Sequence, residues 1–177
     1  RDGSAMVGTG VIFTEDGFIL TNAHVIAGGS ECYVVLDTGE DYRACLLGLD
    51  EEKDLAVIKI AASGLPAAEF GGCDALTGGD PVYAIGNPLG LGLAISSGII
   101  GSTAHELDRY ALPCIVNSAD ISRGSSGGAL MNAHGQVIGV TSGAYTYGNN
   151  MYLAVPVDPV MAADLTVSGW TLKEVKA

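Results

Sequence analysis

The sequence predicts an all-β fold of many short antiparallel strands followed by one short helix. Three observations carry this. Short apolar runs recur along the whole 177-residue chain. Gly, Pro and Asp turn signals separate them at close intervals, the pattern of a barrel or sandwich. Helical periodicity is nearly absent before the C-terminal segment. A hydrophobic fraction of 48% supplies a real core, and the length suits one domain or two fused halves.

Residues 5–13 read as the first strand, with glycines where neighbours come close. The turn at 14–17 ends in Asp16-Gly17, a pair suited to the positive φ angles of a hairpin. Residues 18–21 return and run into Asn22-Ala23-His24-Val25-Ile26. Residues 33–36 and 42–49 make a second hairpin about Thr38-Gly39-Glu40. Residues 55–60 form a buried strand, 65–75 are irregular, and 80–86 form a strand ending at Gly86-Asn87-Pro88. A strand of unassigned pairing lies within 91–100, and 102–112 reads as a polar loop. Strands at 114–117, 129–131, 136–142 and 150–157 complete the set. Asp158 and Pro159 then read as the N-cap and first residue of a helix over 160–165. The chain divides weakly near 86–93, which suggests an N-terminal half over 1–87 and a C-terminal half over 88–177.

The formal net charge of −12 argues against a nucleic-acid partner, since phosphate binding needs clustered Lys and Arg. No apolar run is long enough to span a membrane. Cys32, Cys45, Cys73 and Cys114 lack zinc-ligand spacing, so no metal and no cofactor is expected. A two-residue turn at Thr38-Gly39 would set Cys32 opposite Cys45, whereas a three-residue turn would put them on opposite faces with no bond. No signal peptide is visible, and Arg1 is not an initiator methionine, so the chain reads as trimmed.

The stretch 120–130 packs three glycines and three serines between two apolar runs. A core strand would not tolerate so much glycine, but a tight loop presenting one serine needs it. Ser126 reads as an activated nucleophile, and Gly124, Ser125 and Ser126 as its oxyanion hole. Of the three histidines, His105 and His134 lie in polar surroundings and read as solvent-exposed. His24 follows an apolar strand, and Asp54 directly precedes one. The order His24, Asp54, Ser126 on a β-rich chain is the chymotrypsin-like order.

Thr21-Asn22-Ala23-His24-Val25, the block opening at Asp54-Leu55-Ala56, Gly86-Asn87-Pro88-Leu89-Gly90 and the block Gly124-Ser125-Ser126-Gly127-Gly128 together resemble trypsin-like serine proteases of the HtrA/Deg family. The resemblance covers residues 8–165 and implies two six-stranded antiparallel barrels with the catalytic groups between them. It implies that Ser126 attacks a peptide carbonyl, His24 moves the proton and Asp54 orients the imidazole. It further implies polypeptide substrates that pair with the edge at Thr141, Ser142 and Gly143, and a location in the periplasm, at the cell surface or outside the cell.

Several departures from that pattern carry information. Ser125 stands where these proteases usually have Asn and trypsins have Asp, so no ion pair to a newly cut N-terminus forms and trypsinogen-style activation is not expected. Asp120 and Ile121 are candidate substrate-binding residues, and Asp120 sits six residues before Ser126, where trypsin carries its specificity aspartate. Cleavage after Lys or Arg and cleavage after small apolar residues both stay open, as does a peptide-binding module without turnover. Residues 165–177 are too short for the PDZ domain that usually follows, and the N-terminal extension that often builds homotrimers is largely missing.

Overall fold

The computed structural model describes residues 6–88, 91–145 and 149–161. Its first part holds β1 (Val11–Ile12), β2 (Phe18–Thr21), α1 (Ala23–Ile26), β3 (Tyr33–Val35), β4 (Asp41–Arg43), β5 (Cys45–Asp50) and β6 (Leu55–Lys59). Then follow β7 (Pro81–Gly86), β8 (Ala94–His105), β9 (Cys114–Asn117), β10 (Ala129–Asn132), β11 (Val137–Ala144), β12 (Tyr152–Pro156) and α2 (Asp158–Met161). The predicted all-β character holds. β7 to β12 close into a six-stranded antiparallel barrel in the order β10-β11-β12-β9-β8-β7. The first six strands form no second closed ladder among the described residues. They make a four-stranded sheet, β1-β2-β6-β5, and a separate β3-β4 ribbon.

Side-chain alternation explains the apolar runs. On β10, β11 and β12, Leu130, Ile138 and Ala154 point into the barrel with Val82, Ile100 and Ile115. Ala129 and Val155 point outward, onto Val11, Leu20, Leu55 and Val57 of the first sheet, and a bulge at Ile138 lets Val137 and Val140, three residues apart, join them on that face. The other face of that sheet buries Ile19, Ala56 and Ile58 with Leu46 and, from the ribbon side, Val34 and Tyr42. Strands buried on both faces need apolar residues at consecutive positions, so their sequences show runs instead of alternation. The two parts of the chain are thus joined through a shared apolar layer.

The structure corrects five expectations. β7 pairs with β8 and β10, so residues 81–86 belong to the barrel and the division falls before them, not at 87–88. The polar loop expected over 102–112 is shorter, because β8 continues to His105. Small Ser, Thr and Gly side chains let that strand run with most of its length accessible, and His105 is half-buried against Tyr145. A short helix, α1, forms at Ala23–Ile26. The strand expected over 42–49 is broken at Ala44 into β4 and β5. The β3-β4 hairpin pairs Val35 with Asp41, and Gly39 at φ +86° closes a three-residue turn. The geometry that forbids a Cys32–Cys45 bond is the one adopted, and all four cysteines are free. Helix α2 begins at Asp158, but the helix expected to 165 runs past the described residues, as do Leu89, Gly90 and the segment 165–177.

Leu130 is fully buried at the barrel centre, so Leu130→Ala should cost about 2–5 kcal/mol of stability, measured by urea unfolding. A loss below about 1 kcal/mol would mean that the barrel core is not packed as described.

Candidate active site

Asp54 is the centre of the site. It follows the tight turn at 51–54, whose Asp54 N–H donates to the Glu51 carbonyl at 3.3 Å. Its φ of +55° is a left-handed conformation that aspartate tolerates better than most residues. Asn22 Nδ2 donates to the Asp54 carbonyl at 3.0 Å and fixes the backbone there. The carboxylate turns inward and is buried.

Two elements hold it. From α1, the His24 backbone N–H donates to Oδ1 at 3.0 Å, and Nδ1 lies 2.9 Å from both carboxylate oxygens. From β11, Ser142 Oγ donates to Oδ2 at 2.9 Å. A carboxylate is an acceptor only, so Nδ1 carries the proton and Nε2 presents a lone pair. The His24 side chain remains 44% exposed. Burial pushes the Asp54 carboxyl up, but the hydrogen bonds from His24 and Ser142 outweigh it and hold the group below its usual range.

Ser142 also reaches the serine loop. The pairing of β11 with β12 shifts between Thr141 and Gly143, which leaves Ser142 as the extra residue of a bulge. Its carbonyl, freed from the ladder, accepts the Ser126 hydroxyl at 2.9 Å. One residue therefore contacts both the candidate nucleophile and the carboxylate that orients the candidate base.

The loop around Ser126 is seated by close backbone approaches. The Ser126 carbonyl accepts from Thr9 N–H at 2.8 Å, and the Ser125 carbonyl accepts from Thr141 Oγ1 at 2.8 Å. Gly127 N–H donates to the Thr141 carbonyl, and Thr141 N–H donates to the Gly128 carbonyl. At Gly128 a Cβ would stand 2.2 Å from the Ile85 carbonyl, and at Gly127, with φ +88°, 2.0 Å from the Thr9 carbonyl. The glycines of this block and Gly86 of the preceding one permit this contact. Gly124 and Ser126 N–H make no hydrogen bond among the described residues, whereas Ser125 N–H is committed to the Ser122 carbonyl at 2.9 Å.

The remaining expected residues are placed as follows. Thr141 has its backbone and hydroxyl engaged by the serine loop. The space beside Gly143 is open, with no atom within 4 Å of where a Cβ would stand. Ile121 packs toward the barrel core. Asp120 is exposed, and its carbonyl accepts from Ser96 Oγ at 2.5 Å. Two participants escaped the sequence reading. Thr9 Oγ1 accepts from Asn87 N–H and donates to the Gly124 carbonyl, and Tyr110 meets Ser142. Neither lies beside its partner in sequence, so no local motif marks it. Among the described residues no group of three or more His, Cys, Asp or Glu is placed to hold a metal ion.

A buried carboxylate fixes an imidazole in the first part of the chain, and Ser142 links that carboxylate to a glycine-seated serine on the six-stranded barrel, an arrangement of trypsin-like kind. The chain belongs to the trypsin-like peptidase domain family, whose pattern matches residues 8–140. It is 40% identical over 159 residues to the probable periplasmic serine endoprotease DegP-like of Halomonas elongata, covering 88% of this chain and 34% of that protein. Its fold is similar to that of the HtrA-type protease AlgW with decapeptide, with a TM-score of 0.80 and 36% identity over 88% of this chain and 49% of that one. The serine endoprotease from Yersinia pestis gives a TM-score of 0.77 at 34% identity, over 91% of this chain and 57% of that one. The chain spans about a third of the length of the curated relatives it matches.

The lowered carboxyl of Asp54 sets a pH dependence. A depressed carboxyl stabilises the fold above its unfolded value and loses that contribution as pH falls through the lower folded value. The stability gap between the protein and Asp54→Asn should therefore narrow as pH drops below about 4, read from urea unfolding at several pH values. A gap independent of pH would contradict the hydrogen-bonded carboxylate.

Proposed function

We propose that the protein is a serine endopeptidase that cleaves polypeptides through Ser126, His24 and Asp54. The observation that carries this reading is the double contact of Ser142, which brings the Ser126 hydroxyl and the Asp54–His24 pair to one place. Substrate binding frees the Ser126 hydroxyl from the Ser142 carbonyl. Ser126 Oγ then attacks the scissile carbonyl while His24 Nε2 takes its proton. Asp54 stabilises the imidazolium through Nδ1–H. The oxyanion accepts from the unengaged N–H groups of Gly124 and Ser126. Collapse breaks the C–N bond, and Nε2 returns the proton to the leaving amine. Water, deprotonated by the same imidazole, releases the acyl group.

We read the first six strands as the second barrel of such an enzyme, left incompletely hydrogen-bonded but closed around one apolar core. The relatives named as periplasmic support a place outside the cytoplasm. No helix among the described residues is long and apolar enough to cross a membrane. A preference for Lys or Arg at P1 is a second reading of substrate choice. It is favoured by Asp120, whose exposed carboxylate is an acceptor six residues before Ser126.

Ser126→Ala should lower casein hydrolysis by on the order of 10⁵- to 10⁶-fold and abolish fluorophosphonate labelling. Labelling that survives the change would rule out Ser126 as the nucleophile, and a natural protein that never labels would favour a peptide-binding module. Digestion of a peptide library should give Lys or Arg at P1, with the preference lost in Asp120→Ala. Cleavage confined to Val, Ala or Thr would remove Asp120 from the specificity pocket.

A further inference from the structure

Tyr110 lies on the segment between β8 and β9, outside every motif described above. Its hydroxyl is 2.7 Å from Ser142 Oγ. Ser142 has one hydroxyl hydrogen, and that hydrogen goes to the Asp54 carboxylate. Tyr110 is therefore the donor, and the bonds run in one direction, from Tyr110 to Ser142 to Asp54 and so to His24. A hydroxyl that accepts one bond while donating another is polarised, which strengthens its donation to the carboxylate.

The segment that carries Tyr110 is itself tied to the Asp54 turn. Ala111 N–H donates to the Glu52 carbonyl at 2.7 Å, and Tyr110 N–H donates to the Leu107 carbonyl at 3.0 Å. The ring packs on Cys114, Val116 and Leu153 and also touches the layer between the two halves, with the Arg109 guanidinium 4.7 Å above it. Burial pushes the phenol above its usual range, so it stays a donor through neutral pH. The packing requires only a ring, whereas the 2.7 Å contact requires the hydroxyl.

We propose that Tyr110 is a positioning residue, acting through Ser142 to hold the Asp54 carboxylate where it orients His24; this rests on the serine-protease reading above. Tyr110→Phe keeps the ring and removes the link. Losing one net hydrogen bond of ordinary strength predicts a fall in kcat of about tenfold, with KM within about twofold. It should also move the low-field proton resonance of His24 Nδ1–H. In a Ser142→Ala background, Tyr110→Phe should change neither quantity further.

Unchanged kcat and an unmoved resonance in Tyr110→Phe would overturn the proposal. So would a rise in KM at constant kcat, which would place Tyr110 behind the substrate edge alone. An undiminished effect in the Ser142→Ala background would show that the link does not run through Ser142. The resonance needs no turnover. A shift as expected in a protein that never labels at Ser126 would uphold the role of Tyr110 toward Asp54 and fail the proteolytic reading by itself.

Discussion

The structure depends on how one buried carboxylate is satisfied. Removing an ionised group from water costs several kcal/mol unless charge and hydrogen bonds replace the lost hydration. Asp54 meets that demand with donors from two parts of the chain, His24 from α1 and Ser142 from the bulge of β11. The arrangement holds only while the first sheet and the barrel stay in register. The apolar layer of Leu20, Leu55 and Val57 against Val137, Val140 and Val155 keeps them so. Packing between the halves and electrostatics at the site are therefore one constraint.

The serine loop is built from the other side by exclusion. Gly86, Gly127 and Gly128 lie where any Cβ would meet the Ser125 side chain or a neighbouring carbonyl. Thr9 and Thr141 then fasten the loop through backbone bonds to Ser126, Gly127 and Gly128. Among the described residues this leaves Gly124 and Ser126 N–H unengaged while the Ser126 hydroxyl rests on Ser142. For Ser126 to act as a nucleophile, its hydroxyl has to leave the Ser142 carbonyl.

Much of this was legible in the sequence. Most strand positions followed from short apolar runs between turns, since strands buried on both faces leave that signature. His24, Asp54 and Ser126 stood out because each sits in a short local motif. Errors arose where local signals are weak. The Ser- and Thr-rich residues of β8 looked like a loop because small polar side chains on an accessible strand carry no apolar pattern. The β3-β4 register stayed open in the sequence because it turned on one residue more or less in the turn at Gly39. Tyr110 and Thr9 act through tertiary contacts spanning 32 and 115 residues, which no linear pattern encodes.

The central claim, that Asp54 and Ser142 organise His24 and Ser126 into one catalytic unit, is tested most directly by a crystal structure with a peptidyl fluorophosphonate bound. The account predicts a covalent adduct on Ser126 Oγ, its oxygen facing the N–H groups of Gly124 and Ser126, with His24 Nδ1 still on Asp54 and Ser142 Oγ still donating to that carboxylate. An adduct on Ser122 or Ser125, or a His24 ring detached from Asp54, would contradict it.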